Sequence, residues 1–152
     1  MSMGRILFDL VVAGIATAGF ALLFRTEPKS LLPSAILGGV GYIVYDALLL
    51  SSGSAFVAAF VAGVLVGISA EITARLRKGP AIVYATMGVI PLVPGYGLYR
   101  TMEYMVQADY VQALSAGMET LLVAGAIAMS LGFSTVVARN VFRILGLRHH
   151  RG

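Results

Sequence analysis

The chain contains no cysteine, no tryptophan and little charge, with seven acidic and eleven basic residues in 152. The lack of cysteine excludes disulfides, thiolate metal sites and cysteine nucleophiles. Histidine occurs only as His149 and His150, which we interpret as part of a solvated basic tail. We therefore expect no metal site and no cofactor.

Motifs that carry catalysis are also missing from the sequence. It has no HExxH, no GxSxG, no Gly-x-x-x-x-Gly-Lys phosphate loop and no aspartate pair in a GxGD setting. Ser130 and Ser134 lie four residues apart, but no base accompanies them, so we interpret both as hydrogen-bonding groups between helices. The sequence thus predicts that the protein is not an enzyme.

Long apolar runs dominate the chain, which is 59% hydrophobic and 12% charged. This pattern predicts an all-α, polytopic membrane protein that forms one integral membrane domain over residues 1–152 and lies in the lipid bilayer. A helix needs ~20 residues to cross ~30 Å of hydrocarbon. Five segments approach that length: 6–24, 31–50, 55–74, 80–98 and 111–138.

The basic residues predict how these spans are oriented. With alternating spans, Arg5 and Arg100 fall on one side, and the other nine lysines and arginines fall on the opposite side. Positive loops face the cytoplasm, so we expect a cell (inner) membrane protein with its N-terminus outside and its C-terminus inside. Because the basic residues flank apolar runs rather than forming a groove, nucleic acid is not an expected partner.

The fourth span contains the run Gly88-Val-Ile-Pro-Leu-Val-Pro-Gly95. Two prolines and a glycine interrupt a regular helix, and in lipid such a break persists where protein or a polar cavity supplies new partners. The sequence predicts that helix 4 is broken at Pro91 to Gly95, near the bilayer midplane, and that the second half-helix presents free N–H groups to a carboxylate. The candidate substrate-binding residues are Pro91, Pro94, Gly95 and Tyr96. The alternative is a kink that only shapes packing.

Acidic residues in or beside the spans are the other candidates, because ionisable groups in a membrane are costly and commonly functional. Asp46 has no basic neighbour in sequence, and Glu119 lies near the start of the last span, so both are candidates for proton coupling. Glu71 precedes Arg75 by one helical turn, which indicates either a local ion pair or an inner gate.

Three segments of this sequence resemble the threonine/serine exporter family, specifically its C-terminal half, which also occurs as a separate small subunit. They are Glu71-Ile-Thr-Ala-Arg-Leu-Arg-Lys-Gly-Pro-Ala-Ile-Val83, the Gly88 to Gly95 run, and Leu98-Tyr-Arg-Thr-Met102. The resemblance implies secondary export of small polar carboxylates, either threonine and serine or a dicarboxylate such as succinate. It also implies a larger, YjjP-type partner subunit.

The leading hypothesis is therefore a small membrane subunit of an exporter that acts with this larger subunit. Two alternatives stay open. One is a structural or assembly subunit whose broken helix docks a partner, and the other is a self-sufficient homo-oligomer that builds its pathway by symmetry.

Overall fold

The computed structural model describes residues 3–144, and His149 and His150 lie outside this range. Within it the chain forms helices and no strand. The helices are α1 (Met3–Leu23), α2 (Pro28–Ser52), α3 (Ala55–Arg77), α4 (Ala81–Val89), a 3-10 turn (Ile90–Leu92), α5 (Gly95–Val106) and α6 (Tyr110–Ile144).

Four of these helices are long and apolar enough to cross a membrane alone: α1, α2, α3 and α6. The segments Ala81–Leu92 and Gly95–Val106 pass the same test together but are bent by 47°. The prediction of an all-α membrane protein with a broken fourth span is thus confirmed. The span boundaries differ, since α5 continues past residue 98 and α6, with 35 residues, is about 52 Å long.

Local capping explains the short turn between α2 and α3. Gly53 adopts a left-handed conformation (φ 64°) and its N–H donates to the carbonyl of Leu49, which ends α2. Ser54 then begins α3, because its hydroxyl accepts a hydrogen bond from the N–H of Val57. α2 and α3 are therefore antiparallel neighbours.

Helices α3 and α6 run in the same direction and pack through small residues. Gly63 lies against Ser130 and Gly67 lies against Ser134. Further along, the Arg75 guanidinium lies 3.8 Å from the centre of the Phe142 ring. Each of these three pairs is separated by 67 positions, so the register is constant, and the first dozen residues of α6 extend beyond the start of α3.

The break in helix 4 is packed against the middle of α3. Gly88 lies against the side chain of Val66, which is level with the midpoint of Ala55–Arg77. The 3-10 turn follows immediately, and Leu92 in that turn is only 3% exposed. Leu92 belongs to a buried apolar cluster whose other members are Ala59, Ala62, Val66, Val123, Ala126 and Ile127. The break therefore begins within one helical turn of mid-height and lies in the half of the bundle that carries Ala55.

Candidate functional site: a polar cavity beside the broken helix

A cavity of about 450 Å³ opens where α5 leaves the break and packs beside the start of α6. Ligand sites for small molecules commonly have this size. Much of the lining is polar, with tyrosine, serine, threonine and glutamine side chains. The lining residues are Tyr45, Ala55, Pro94, Tyr96, Gly97, Arg100, Tyr104, Gln112, Ser115, Ala116, Glu119, Thr120 and Val123.

Arg100 is the cation of this cavity, and its neighbours on α5 hold it in place. Its Nη1 donates a 3.0 Å hydrogen bond to the Tyr96 hydroxyl, and its Nη2 donates to the Tyr104 hydroxyl. Its Nε lies 3.8 Å from a carboxylate oxygen of Glu103. Because the tyrosines stand one turn before and one turn after Arg100, the guanidinium is fixed on the face of α5 that lines the cavity.

The opposite wall of the cavity is the start of α6. α5 and α6 pack closely there, with Gly97 against Thr120 and Gly117 against Thr101. This antiparallel pairing puts Arg100 and Glu119 within about one helical turn of each other in height, or ~5 Å. Among the lining residues only these two are charged. The cavity therefore offers one positive and one negative group on facing helices.

The structure brings some of the candidate substrate-binding residues into this cavity. Pro94 and Tyr96 line it, whereas Pro91 lies in the 3-10 turn and Gly95 is the exposed first residue of α5. The N–H of Gly95 donates to the carbonyl of Val93 at 2.7 Å. The first N–H group of α5 is thus bonded within its own chain, and Tyr96 and Arg100 are the side chains of its first two turns that line the cavity.

The two proton-coupling candidates lie in different surroundings. Glu119 lines the cavity. Asp46 does not, and its Oδ1 lies 3.5 Å from Nη2 of Arg5, whose Nε lies 3.6 Å from Oδ2 of Asp9. Its other oxygen is buried and has no hydrogen-bond partner in residues 3–144. Asp46 therefore joins α2 to α1 through an ion pair that sequence spacing could not reveal.

Glu71 and Arg75 lie toward the end of the bundle that is opposite the cavity of Arg100 and Glu119. Glu71 lines a second cavity, of about 440 Å³, between α3, α4 and α6, and Arg139 lines the same cavity. The Arg75 guanidinium stacks on Phe142. Between the two cavities lies the buried cluster around Leu92 and Val66.

Arg100 is the residue that sequence reasoning missed, because it was counted only as a topology signal. The spacing Tyr96-x-x-x-Arg100-x-x-x-Tyr104 places the arginine between two tyrosines on one helical face. This pattern could have identified Arg100 from the sequence. In the described part of the chain no group of three or more His, Cys, Asp or Glu side chains could hold a metal ion.

A broken span beside a polar cavity in a bundle of membrane helices is typical of membrane transport proteins. Comparison with known families defines the chain further. It belongs to the threonine/serine exporter family, because the family profile described as "Threonine/Serine exporter, ThrE" matches residues 9–137.

Two curated relatives illustrate the range of this similarity. A protein of Haemophilus influenzae that is named only as uncharacterised is 30% identical over an alignment of 136 residues that covers 84% of this chain and 46% of the relative. A probable threonine/serine exporter of Mycobacterium tuberculosis is 28% identical over an alignment of 130 residues that covers 84% of this chain and 24% of the relative. The chain thus spans half or less of the length of these relatives. No solved structure matches it.

Proposed function

We propose that this chain is the small membrane subunit of a secondary exporter of small polar carboxylates, and that the cavity between α5 and α6 is its substrate site. One observation carries the proposal: the cavity places Arg100 and Glu119 beside the break in helix 4. A carboxylate binds well to a guanidinium, whose fork of N–H groups matches its two oxygens. The relatives' greater length supports a larger partner subunit of the YjjP type.

The proposed pathway joins the two cavities through the cluster around Leu92. Leu92 lies in the 3-10 turn and packs against α3 and α6, so it separates the cavity of Arg100 from the cavity of Glu71. The break, which runs from this turn to Pro94, contains the two prolines Pro91 and Pro94, so it lacks regular helical hydrogen bonds and changes shape more readily than an unbroken helix. Movement of this turn would open the cluster, with Glu71 and Arg75 near the cytoplasmic gate in the orientation that the basic residues predict.

Glu119 is the residue that we propose for proton coupling. Its carboxylate lines the cavity, so a proton bound there would change the charge that the substrate meets. Asp46 is the second candidate, but it lies outside the cavity lining and pairs with Arg5. We assign Asp46 to the contact between α1 and α2.

The test is transport by vesicles that contain this chain together with its larger partner. They should move labelled threonine, serine or succinate, and the rate should depend on a proton gradient. Absence of transport across a panel of amino acids and dicarboxylates, with the complex intact, would refute the proposal. Transport by this chain alone would instead support the homo-oligomer.

Replacing Pro91 and Pro94 by alanine distinguishes a transport role from an assembly role. We expect the double variant to lose transport while the complex with the partner stays intact. Pro33→Ala is the matched control, because Pro33 lies inside α2 and outside the cavity. Loss of the complex in the double variant alone would favour the structural, partner-docking subunit.

A further inference from the structure

We infer that the larger partner subunit docks through an apolar surface on the hairpin of α5 and the start of α6, on the side opposite the cavity. The inference rests on the proposed function, which supplies the partner, and it adds the surface that the partner covers. This hairpin face consists of six side chains that are each more than half exposed: Leu98, Met102 and Met105 of α5 and Tyr110, Leu114 and Met118 of α6.

The two sides of the hairpin have opposite chemistry. α5 and α6 meet along a seam, with Gly97 against Thr120 and Thr101 against Gly117. At 3.6 residues per turn, the hairpin face lies on one side of this seam and the polar cavity lining on the other. The hairpin face contains no charged side chain, so a partner that docks there needs an apolar surface and leaves the cavity open. The polar residues on the cavity side include Tyr96, Arg100, Gln112, Ser115 and Glu119.

The depth of the hairpin excludes the hydrocarbon of the bilayer as the cover of most of this face. Arg139 marks the end of the apolar run of α6, so ~20 residues of helix, counted back from Arg139, cross ~30 Å and put the other boundary near Glu119. The helix continues beyond this level to Tyr110, for about 13 Å. Because α5 is antiparallel to this segment, its residues after Leu98 also lie beyond the boundary. The hairpin therefore projects out of the hydrocarbon.

Nothing in residues 3–144 covers the hairpin face. No residue of α5 is buried, and Val106 and Val111 at the tip of the hairpin extend the apolar surface, with 88% and 79% of their area exposed. A contiguous apolar patch that lies outside lipid marks a site of protein interaction. Three of the six side chains are methionines, whose flexible thioether chains adapt well to the surface of a partner.

The relatives are the reason to assign this face to a larger subunit. The alignments cover 46% and 24% of the two relatives, so each of them carries polypeptide that this chain lacks. In the proposed exporter the larger subunit takes the place of this polypeptide. Docking on the hairpin face would leave the substrate cavity free and would place the partner on α5, the helix that directly follows the break.

The experiment uses the absence of cysteine, because any introduced cysteine is then the only one in the chain. Met105→Cys and Leu114→Cys are placed in vesicles with and without the larger partner. The vesicles are opened, so that a charged maleimide that does not cross lipid reaches both sides. Without the partner both cysteines should react, since they lie outside the hydrocarbon. With the partner, the labelling rate should fall by about tenfold or more, because the core of an interface excludes water.

Two further positions serve as labelling controls. Gln112 lies at nearly the same height as Met105 but on the cavity side, so the labelling of Gln112→Cys should not change when the partner is present. Met129 is exposed near the middle of the membrane-spanning part of α6, so Met129→Cys should stay unlabelled with and without the partner.

A charge on the hairpin face tests the same contact by copurification. Leu114→Arg should retain about tenfold less partner than the wild type, because the new charge would be buried in an apolar interface. The side chain of Leu114 is exposed in this chain, so the substitution leaves its packing intact. Gln112→Arg is the matched control, and it should retain as much partner as the wild type.

The outcomes separate the inference from the proposed function. If Met105→Cys and Leu114→Cys stay unlabelled in the chain alone, lipid or a second copy covers the face and the inference is overturned. Equal labelling with and without a partner that copurifies would also overturn it, while the exporter complex would stand. If chain and partner neither copurify nor transport any substrate together, the proposed function fails and the inference fails with it.

Discussion

Val66 sits between two glycines of neighbouring helices, and this contact allows a quantitative test of the packing beside the break. A Cβ atom added to Gly41 of α2 would lie 2.5 Å from Cγ2 of Val66, whereas its next neighbours would lie at 3.7 and 3.8 Å. Carbon atoms pack best at about 3.5 to 4.0 Å. In Gly41→Ala, therefore, either Val66 or the two helices must move by about 1 Å.

The expected cost follows from these distances. Overpacking of this kind costs about 1–3 kcal/mol in the free energy of unfolding, and the better helix propensity of alanine returns up to about 1 kcal/mol. Val66→Ala removes two methyl groups from a fully buried position, at a cost of about 1–2 kcal/mol. In the double variant the clash disappears, because the remaining neighbours of the new methyl group lie at ordinary contact distance. We expect the free energy of unfolding of the double variant to exceed, by about 1 kcal/mol or more, the value obtained by adding the two single effects.

The assay is reversible unfolding in mixed micelles, followed by circular dichroism as the fraction of a denaturing detergent rises. Gly125→Ala is the control, because a Cβ atom there meets nothing within 4 Å, and we expect no loss of stability. If the double variant loses the full sum of the two single effects, Val66 and Gly41 do not contact each other as described. The reasoning about the packing of the break would then be refuted.

Two further predictions concern polar contacts between helices. Tyr84→Phe removes the 3.0 Å hydrogen bond between the buried hydroxyls of Tyr84 and Ser30, so it should lower the free energy of unfolding by about 1 kcal/mol. In a Ser30→Ala background the same change should cost clearly less, and equal costs in both backgrounds would contradict the contact. Asp46→Asn weakens the pair with half-exposed Arg5, so unfolding measurements should show a loss of about 1 kcal/mol or less. Transport should stay proton-dependent in Asp46→Asn and lose that dependence in Glu119→Gln; the opposite pattern would make Asp46 the coupling residue.

The spans and the break were predictable from sequence because both depend on local properties. Apolar runs of sufficient length form helices in lipid. Pro91 and Pro94 interrupt one of these helices regardless of which helices it packs against. The length of α6 was harder to predict, since the helix continues past residue 138 to Ile144 among arginines that end the apolar run but do not end a helix. Composition locates the part of a helix that lies in hydrocarbon, and capping residues locate its ends.

The cavity could be predicted only in part. Pro94, Tyr96 and Glu119 were selected because of the break and because of charge near a span, and the structure places all three in one lining. The contact of Asp46 with Arg5 joins residues 41 positions apart, and no local pattern encodes it. It depends on how α1 packs on α2, which follows from side-chain shape rather than from hydropathy.

The seam between α3 and α6 is built from small residues at intervals of one turn. Gly63 and Gly67 on α3 face Ser130 and Ser134 on α6, and Ala126 and Ala138 continue the row of buried small residues at both ends. Sliding α6 by one turn, about 5.4 Å, would again place a small side chain opposite each glycine. Shape alone therefore permits more than one register along this seam. The observed register is selected by a contact that does not repeat, namely the stacking of Arg75 on Phe142.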